Sequence, residues 1–469
     1  MATAAQTNGV TRDPRFVLLA TSLGVLLAQI DTSVVNLGLK SIASDLNAGV
    51  SEMQWVIDAY NVVYATLLLT GGTLGDIYGR RRIFLLGIAL FTAGTIVCAL
   101  APNAVVLIAG RVISGLGAAF ALPMSLVLLT LAYPRREERA HAMGIWASCN
   151  GLAFIIGPTV GGWLVDSVGW RSIFYMSLPA CAAALFLTLY AVEESVEPEG
   201  RQLDLPGQVL AIIALGGFAF AAIEGSHWGW TTPLFAVLAA SVLAAIAFVW
   251  VEARTPGALL PLSFLRQPVF SGALAVAGLM TFGMYALLFI MPLYFQTVRS
   301  ATPFIAGLEL LPMSVSFVVV SQLVGYLTNN LGPRIVMTAG MACMGLGALA
   351  IAFISEHSSL IFIEIALFVV GIGLGLNTAP VNGVAVAAVP PARSGTASGV
   401  LNTARMVGAT MGVAILGSVF ASYAGQQMNV ASGFIPGLRA AMIVAGLAEL
   451  LGAVVAATVI RRDSLHAKK

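Results

Sequence analysis

The sequence predicts an all-α integral membrane protein with about fourteen transmembrane spans, arranged as two six-helix bundles with two additional central helices. Only 9% of its 469 residues are charged and 59% are hydrophobic, whereas soluble domains carry roughly 25% charged residues. Apolar runs of roughly 20 residues, the length that crosses a bilayer, follow one another along the chain. Basic residues gather in alternate links between these runs, which is typical of a multi-pass membrane protein.

The spans are predicted in order from the amino terminus. The first residues lack the apolar core and cleavage site of a signal peptide, so we expect the first span to be retained. Trp228 and Trp230 separate the seventh and eighth spans, at the headgroup depth that tryptophan favours. The approximate span centres are Leu26, Ala65, Ala93, Ala118, Leu152, Ala183, Ala214, Leu243, Leu279, Ser316, Met344, Gly373, Ala409 and Ala448.

The distribution of Lys and Arg predicts the orientation. If the chain starts in the cytoplasm, two of its 23 bases lie within helices, and the outer segments hold only Lys40, Arg171, Arg299 and Arg439. The remaining bases fall in cytoplasmic segments, as the positive-inside rule requires. Both termini are therefore expected in the cytoplasm, with an even number of spans.

An internal repeat supports this architecture. Residues 325–334 resemble residues 72–81, and the glycine pattern of residues 115–117 recurs at residues 373–375. Repeats of this kind are typical of transporters built from two related halves.

The repeat distance also predicts the domain boundaries. Six spans occupy only residues 16–192, so the distance between the two copies leaves room for two more spans between the halves. We expect an N-terminal six-helix bundle over residues 1–200, two additional helices over residues 201–257 and a C-terminal six-helix bundle over residues 258–469.

A tight basic turn links the second and third spans. From residue 72 it has the order G-x-L-x-D-x-x-G-R-R, which resembles the loop between helices two and three of the major facilitator superfamily. Ile77 departs from the family pattern, which usually has arginine there and so one more ion pair. The resemblance implies the major facilitator fold and assigns gating roles to Gly72, Asp76, Gly79, Arg80 and Arg81.

Asp76 has a mechanical role by the same resemblance. With the arginines that follow, its carboxylate is expected to latch the cytoplasmic ends of the two halves, helped by a helix N-terminus. Asn329 occupies the equivalent position in the second copy and carries no charge. The latch should therefore be one-sided.

The fifth span contains glycines and a proline in the frame G-x8-A-x3-G-P-x-x-G-G. This frame resembles the antiporter motif of exporters in the superfamily, which its symporters generally lack. Glycines at this spacing let helices approach closely, and proline bends a helix. Ordinary tight packing is the alternative interpretation. The conformational residues expected here are Gly144, Gly157, Pro158, Gly161 and Gly162.

The first span carries Asp31 near its middle. Residues 29–36 resemble the L-D-x-T-x-V-N signature of the fourteen-helix drug:proton antiporters, the EmrB/QacA-like family. A carboxylate at this depth is energetically expensive and usually functional. We expect Asp31 to be the principal coupling carboxylate. The alternative is a helix-packing hydrogen bond with Thr32 or Asn36.

Further ionisable residues lie in other spans. Arg111 stands in a segment that resembles the family's R-x-x-Q-G motif, implicated in proton transfer, with Ser114 in place of glutamine. It is expected either to control protonation of a carboxylate or to form a purely structural ion pair. Glu449 is a candidate second titrating site, and Arg405 is expected to be structural or gating.

Asp58 is the candidate for substrate recognition in the second span. It lies close to Trp55, Tyr60 and Tyr64, and an acid among aromatic side chains suits a lipophilic cation. We expect it about one turn inside the outer end of its helix. The alternative is a residue near the outer mouth that merely reaches water.

Other protein classes have little support. The four cysteines lie in apolar segments without metal-ligand spacing, and no nucleotide-binding loop is present. The sequence therefore predicts neither enzyme, cofactor, metal nor ATP, and the net charge of +2 gives no reason to expect nucleic acid.

The predicted function is proton-driven export of amphipathic drugs, antibiotics or lipophilic cations across a bacterial cytoplasmic membrane, by a monomer. Its partners are the proton, the small-molecule substrate and the lipid bilayer. One alternative is a dedicated exporter of a single metabolite or self-made antibiotic. A nutrient symporter is disfavoured by the motif in the fifth span, and a sensor or scaffold by the acids within the membrane.

Overall fold

The computed structural model describes residues 13–196, 203–255, 262–390, 393–424 and 431–461. This part of the chain contains fourteen long helices, and a short helix, Leu262–Leu265, precedes the ninth of them. The long helices are α1 (Pro14–Leu46), α2 (Val50–Tyr78), α3 (Arg80–Ala99), α4 (Ala104–Ala132), α5 (Arg136–Ile156, Gly157–Gly161 and Gly162–Ser167), α6 (Ser172–Ala191), α7 (Leu205–Trp228), α8 (Thr232–Glu252), α9 (Pro268–Thr297), α10 (Pro303–Glu309 and Leu311–Leu331), α11 (Pro333–Ala352), α12 (Leu360–Ala387), α13 (Ser394–Met411, Gly412–Leu416 and Gly417–Ala424) and α14 (Ala431–Val459).

The predicted fold class is confirmed. Within the described residues, thirteen helices are long and apolar enough to cross a membrane by length and composition. The remaining long helix is α2, whose 29 residues include the buried polar side chains of Gln54, Asp58 and Asn61. These side chains lower its hydropathy without shortening it. Both chain termini and the predicted domain boundaries near residues 200 and 257 lie outside the described residues.

The helices form two bundles. In the first, α1 packs against α4, α5 and α6, while α3 and α2 pack against α4. In the second, α9 packs against α12, α13 and α14, while α11 packs against α12 and α14. Contacts between α1 and α9, between α2 and α13, and between α5 and α10 join the two bundles.

The internal repeat is visible as matching backbone geometry. Gly79, between α2 and α3, and Gly332, between α10 and α11, both adopt positive φ, at 115° and 82°. In the first bundle a Cβ on Gly117 would lie 2.6 Å from the Gly87 carbonyl, and in the second a Cβ on Gly373 would lie 2.4 Å from the Gly340 carbonyl. Glycine therefore permits the same close helix pairing in both halves.

The two additional helices have different surroundings. α7 packs on α2 of the first bundle and on α13 of the second, whereas α8 packs chiefly on α7. Gln208 donates to the Thr66 carbonyl at 2.9 Å, and Ser418 donates to the Ala222 carbonyl at 2.5 Å. α7 thus contacts both halves, and α8 leaves most of its apolar surface exposed, which suits a lipid-facing position.

Candidate functional site

A cavity of about 1890 Å³ separates the two bundles and is lined by α1, α2, α4, α5, α9, α10, α12 and α13. Its wall extends from Tyr60 and Tyr285 within the helices to Asp76 and Arg393 at the helix ends. These ends belong to the face that the distribution of basic residues predicts to be cytoplasmic. The cavity therefore opens toward that face.

The bundles meet at the opposite face. The Lys40 ammonium donates to the Gln296 carbonyl, and the Gln296 amide donates to the Leu37 carbonyl at 3.0 Å, so these bonds join α1 to α9. Nearby, a Cβ on Gly307 of α10 would lie 1.9 Å from the Pro158 carbonyl of α5. The arrangement is an inward-open state, with a closed outer end.

Asp31 and Arg111 form an ion pair inside the first bundle. The Arg111 Nη1 lies 2.6 Å from the Asp31 Oδ2, and the two side chains are 2% and 6% exposed. The Arg111 Nε also donates to the Val56 carbonyl at 2.8 Å, and the guanidinium lies 4.7 Å from the centroid of the Tyr60 ring. The predicted cation beside the predicted carboxylate is therefore present, although α1 and α4 are far apart in sequence.

Tyr60 connects this pair to the cavity. Its ring packs against Arg111, yet Tyr60 also lines the cavity together with Gln29 and Thr32, the close neighbours of Asp31 in α1. A ligand at the deep end of the cavity, farthest from its mouth, therefore touches a side chain that contacts the ion pair.

Glu449 is separate from this pair. It lies in the second bundle, where a Cβ on Gly283 of α9 would lie 2.0 Å from its carboxylate. Glu449 is 2% exposed, and one of its oxygens has no hydrogen-bond partner within the described residues. It does not line the cavity.

Asp58 lies deeper than its predicted position. α2 begins at Val50, six residues before the first apolar residue on which the predicted span was based, so Asp58 is about 12 Å from the helix start. Its side chain is 0% exposed and adjoins Asn61, so it does not reach water in this conformation. Trp55 donates instead to Glu224 of α7 at 2.8 Å.

The predicted aromatic group is therefore divided in this conformation. Tyr60 and Tyr64 line the cavity, while Asp58 and Trp55 do not. The two lining residues are one helical turn apart on α2, and the other two lie on faces directed to neighbouring helices. Only the packing of α2 against α7 and α13 separates these faces.

The basic turn is held within the first bundle. The Arg80 guanidinium donates to the Asp76 Oδ1 at 3.0 and 3.1 Å, and both residues are buried. Asp76 also lines the cavity, as does Gly72, where a Cβ would meet no atom within 4 Å. The pair described here joins α2 to the start of α3, so it is not itself a bond between the two halves.

Glu194, after α6, completes this turn and was not singled out from the sequence. Its carboxylate accepts from the backbone N–H of Arg81 at 3.0 Å and of Arg82 at 3.2 Å, and so caps the N-terminus of α3. Glycine is required at position 79 for two reasons: its φ is positive, and a Cβ there would lie 2.6 Å from the Glu194 carboxylate. The acidic pair directly after the sixth span was the available signal.

The glycines of α5 serve different neighbours. Those at 157 and 161 lie against α1, where added Cβ atoms would lie 1.9 Å from the Ser33 hydroxyl and 2.7 Å from Val34. Gly162 lies against α10 at Pro303. Gly144 instead lines the cavity, where a Cβ would meet no atom within 4 Å, so the motif is not one continuous packing stripe here.

A π-helical segment replaces α-helix at Gly157–Gly161 in α5 and again at Gly412–Leu416 in α13. Such segments are uncommon and frequently lie at functional sites. A Cβ on Gly412 would lie 2.1 Å from the Phe282 carbonyl of α9, just as Gly157 meets α1. The repeat therefore includes the distortion of these two helices, which the sequence did not reveal.

Arg405 occupies the cavity wall on α13. Its Nη2 donates to the Thr378 carbonyl of α12 at 3.0 Å, and its own carbonyl accepts from the Thr281 hydroxyl of α9 at 2.6 Å. Tyr64 and Tyr285 line the same cavity. The described part of the chain holds no cluster of side chains suited to a metal ion.

Comparison with known families agrees with this architecture. A model described as Major Facilitator Superfamily matches residues 21–215 and 207–413. The chain belongs to the Major Facilitator Superfamily. Its members are membrane transporters, so the predicted family and the prediction that the chain is a transporter rather than an enzyme are both confirmed.

Individual proteins resemble the chain over most of its length. Multidrug resistance protein Stp of Mycobacterium tuberculosis (strain CDC 1551 / Oshkosh) is 40% identical over 88% of this chain and 77% of its own length. The methylenomycin A resistance protein of Streptomyces coelicolor is 33% identical over 95% of this chain and 92% of its own. A bacterial homologue of the lysosomal transporter Spinster, solved inward-facing and unoccupied, aligns with a TM-score of 0.68 at 18% identity, covering 95% of this chain and 96% of that one. This last likeness concerns the fold alone.

Proposed function

We propose that this protein is a proton-coupled antiporter that exports amphipathic drugs or antibiotics from the cytoplasm across the bacterial cytoplasmic membrane, and that it acts as a monomer. The observation that carries the proposal is the buried Asp31–Arg111 pair behind the wall of an inward-open cavity. The resistance proteins that the chain resembles support a drug as the cargo.

The ion pair provides a means of coupling. A proton on Asp31 removes one of the two charges and weakens its attraction to Arg111, which stays bonded to the Val56 carbonyl and packed on Tyr60. Substrate at the deep end of the cavity contacts the same tyrosine. Proton and substrate can then favour different conformations, which is the thermodynamic requirement of exchange.

The conformational change would act on the contacts between the bundles. The close approach of α5 to α10 at Gly162 supports closure of the outer end, while Gly157 and Gly161 let α5 pack on α1 within the first bundle. At the cytoplasmic end, Gly72, Asp76, Gly79, Arg80 and Arg81 are proposed to control closure. Gly144, Pro158 and Arg405 are further candidates for a conformational role. Glu449 remains a candidate second protonation site.

Transport into inverted membrane vesicles tests this proposal. The cytoplasmic face then lies outside, and acidification of the vesicle lumen should drive uptake of drugs supplied in the medium. Collapse of the pH gradient with a protonophore should abolish accumulation. Accumulation that survives this collapse and the loss of membrane potential would contradict proton coupling.

The resemblance to a methylenomycin A resistance protein favours a second candidate, a dedicated exporter of one antibiotic. A panel of unrelated drugs distinguishes the two candidates. A dedicated exporter transports one chemical family, whereas a multidrug exporter transports several.

A further inference from the structure

The charge of the cavity wall does not match a binding site for cations. Among the described residues that line the cavity, Asp76 is the only carboxylate, and it lies at the mouth, bonded to Arg80. The wall also contains Arg393 at the mouth and Arg405 deeper inside. The deep part of the wall, away from the mouth, therefore carries a positive charge.

Arg405 lies near the middle of the membrane. It is eleven residues from the start of α13 at Ser394, which corresponds to about 17 Å of helix in a hydrocarbon core about 30 Å thick. A charge at this depth is expensive unless it is paired or faces water, and it usually serves a function. Arg405 must therefore obtain its compensation from the cavity.

Arg405 differs from Arg111 in how its charge is balanced. Arg111 is also buried in the membrane, but its charge is balanced by Asp31 at 2.6 Å. Arg405 shares its part of the cavity wall with Tyr64 and Tyr285, whose phenol groups are neutral. No described carboxylate forms an ion pair with Arg405.

The Arg405 side chain is also held in place with donors to spare. A guanidinium has five N–H donors, and the only hydrogen bond of the Arg405 side chain within the described residues is from Nη2 to the Thr378 carbonyl. The Nε has no partner but is buried, so the donors left for a ligand are on the Nη atoms. Tyr64 and Tyr285 both line the cavity beside it, and neither hydroxyl makes a hydrogen bond within the described chain. This part of the cavity wall thus offers one cation and two phenol groups.

We propose that the transported substrates are amphipathic organic anions, whose carboxylate or equally acidic group binds Arg405 while their apolar part lies against Tyr64 and Tyr285. This inference rests on the proposed export function and replaces the lipophilic cation expected from Asp58. Arginine binds a carboxylate through paired charge-assisted hydrogen bonds, which an uncharged amide cannot reproduce. Charge should therefore decide affinity at this position.

Equilibrium binding to the purified full-length protein in lipid nanodiscs tests the inference. The probes are a fluorescent coumarin-3-carboxylate, its carboxamide, and a coumarin of similar size that carries a trimethylammonium group. The wild-type protein should bind the carboxylate most tightly. Arg405→Gln should weaken carboxylate binding about 10-fold or more and change carboxamide binding no more than about twofold. Arg405→Lys keeps the charge but loses the paired geometry, so its affinity should be intermediate.

Arg393→Gln is the matched control, because it removes the same charge from the exposed mouth of the same cavity. Screening by physiological salt acts over about 8 Å, so this variant should bind the carboxylate within about twofold of wild type. A wild-type preference for the ammonium or carboxamide probe, equal weakening of both coumarin acids and amides by Arg405→Gln, or no binding of any probe would each overturn the inference.

Vesicle transport separates failure of the inference from failure of the proposed function. If a pH gradient drives export of the carboxamide but Arg405→Gln leaves carboxylate affinity unchanged, the inference is wrong and the exporter stands. If Arg405 governs carboxylate affinity but no gradient drives uptake, the anion site stands and proton-coupled export is wrong.

Discussion

Removing either partner of the Asp31–Arg111 pair should destabilise the protein, and removing both charges should not. At an effective dielectric constant of about 20, unit charges 4 Å apart attract by about 4 kcal/mol. Loss of one partner of a buried pair typically costs about 3–5 kcal/mol, because the other charge remains buried without compensation. With the side chains 6% and 2% exposed, we expect Asp31→Asn to lower the free energy of unfolding by about 3–5 kcal/mol.

The other variants complete a double-mutant cycle. Arg111→Gln should cost less than Asp31→Asn, because the Asp31 left behind can take up a proton and become neutral. The double variant, Asp31→Asn with Arg111→Gln, contains two neutral side chains of similar size and should unfold within about 1 kcal/mol of wild type. Reversible SDS titrations of the four proteins measure these differences.

An exposed pair in the same protein supplies the control. The Arg171 Nη1 lies 2.6 Å from the Asp45 Oδ2, the same separation as in the buried pair, but these side chains are 39% and 49% exposed. Asp45→Asn should therefore cost much less than Asp31→Asn, because water screens an exposed pair. Equal costs for Asp31→Asn and Asp45→Asn would refute the argument from burial.

Vesicle uptake then decides whether the pair couples transport or only supports the fold. The double variant should be stable yet should not accumulate substrate in response to a pH gradient, since neither remaining side chain changes charge near neutral pH. Gradient-driven uptake by this variant would refute the coupling role and leave the pair with a structural one. Glu449 would then be the next carboxylate to examine.

Three further predictions concern gating and energetics. Asp76→Asn weakens the contact with Arg80 by removing a charged hydrogen bond worth about 1.5–3 kcal/mol. Initial uptake rates should therefore fall. The Kd for substrate in nanodiscs should stay within about twofold, because the lost bond is away from the ligand. Gly157→Val places a Cβ 1.9 Å from the Ser33 hydroxyl, so the protein should fold, elute normally and fail to transport. Gly216→Val is the control and should transport normally, because a Cβ on Gly216 of α7 would meet only Val62, at 3.7 Å. With the pH gradient collapsed, an imposed membrane potential should drive export of an anion more steeply than export of a neutral or cationic substrate. The reason is that each transferred charge contributes ~2.3 kcal/mol per 100 mV.

Each of these three has a clear contrary result. Loss of substrate binding in the Asp76 variant would make that residue a ligand contact rather than a gate. Normal efflux by the Gly157 variant would show that α1 and α5 need not approach so closely. If voltage does not affect export of the carboxylate, exchange of one proton for one anion, which moves two charges in the same sense, is excluded.

The sequence by itself determined the membrane class, the helices, the repeat and the turn at Gly79. These features depend on composition, on apolar runs of sufficient length and on local backbone geometry, all of which neighbouring residues specify. The expected depth of Asp31 and the charge of Arg111 followed from the same local information. The two residues are eighty positions apart in sequence, and only the family resemblance, not local physics, gave a reason to expect them to be in contact.

Only the tertiary structure decided which polar side chains meet and which reach the cavity. Asp58 and Tyr60 are two residues apart, yet one is enclosed among helices and the other lines the cavity, because their faces of α2 meet different neighbours. Glu194 caps α3 from beyond α6, and Arg405 donates to a backbone carbonyl where Arg111 has a carboxylate. Such pairings depend on the relative rotation of packed helices, which hydrophobic length in the membrane does not specify.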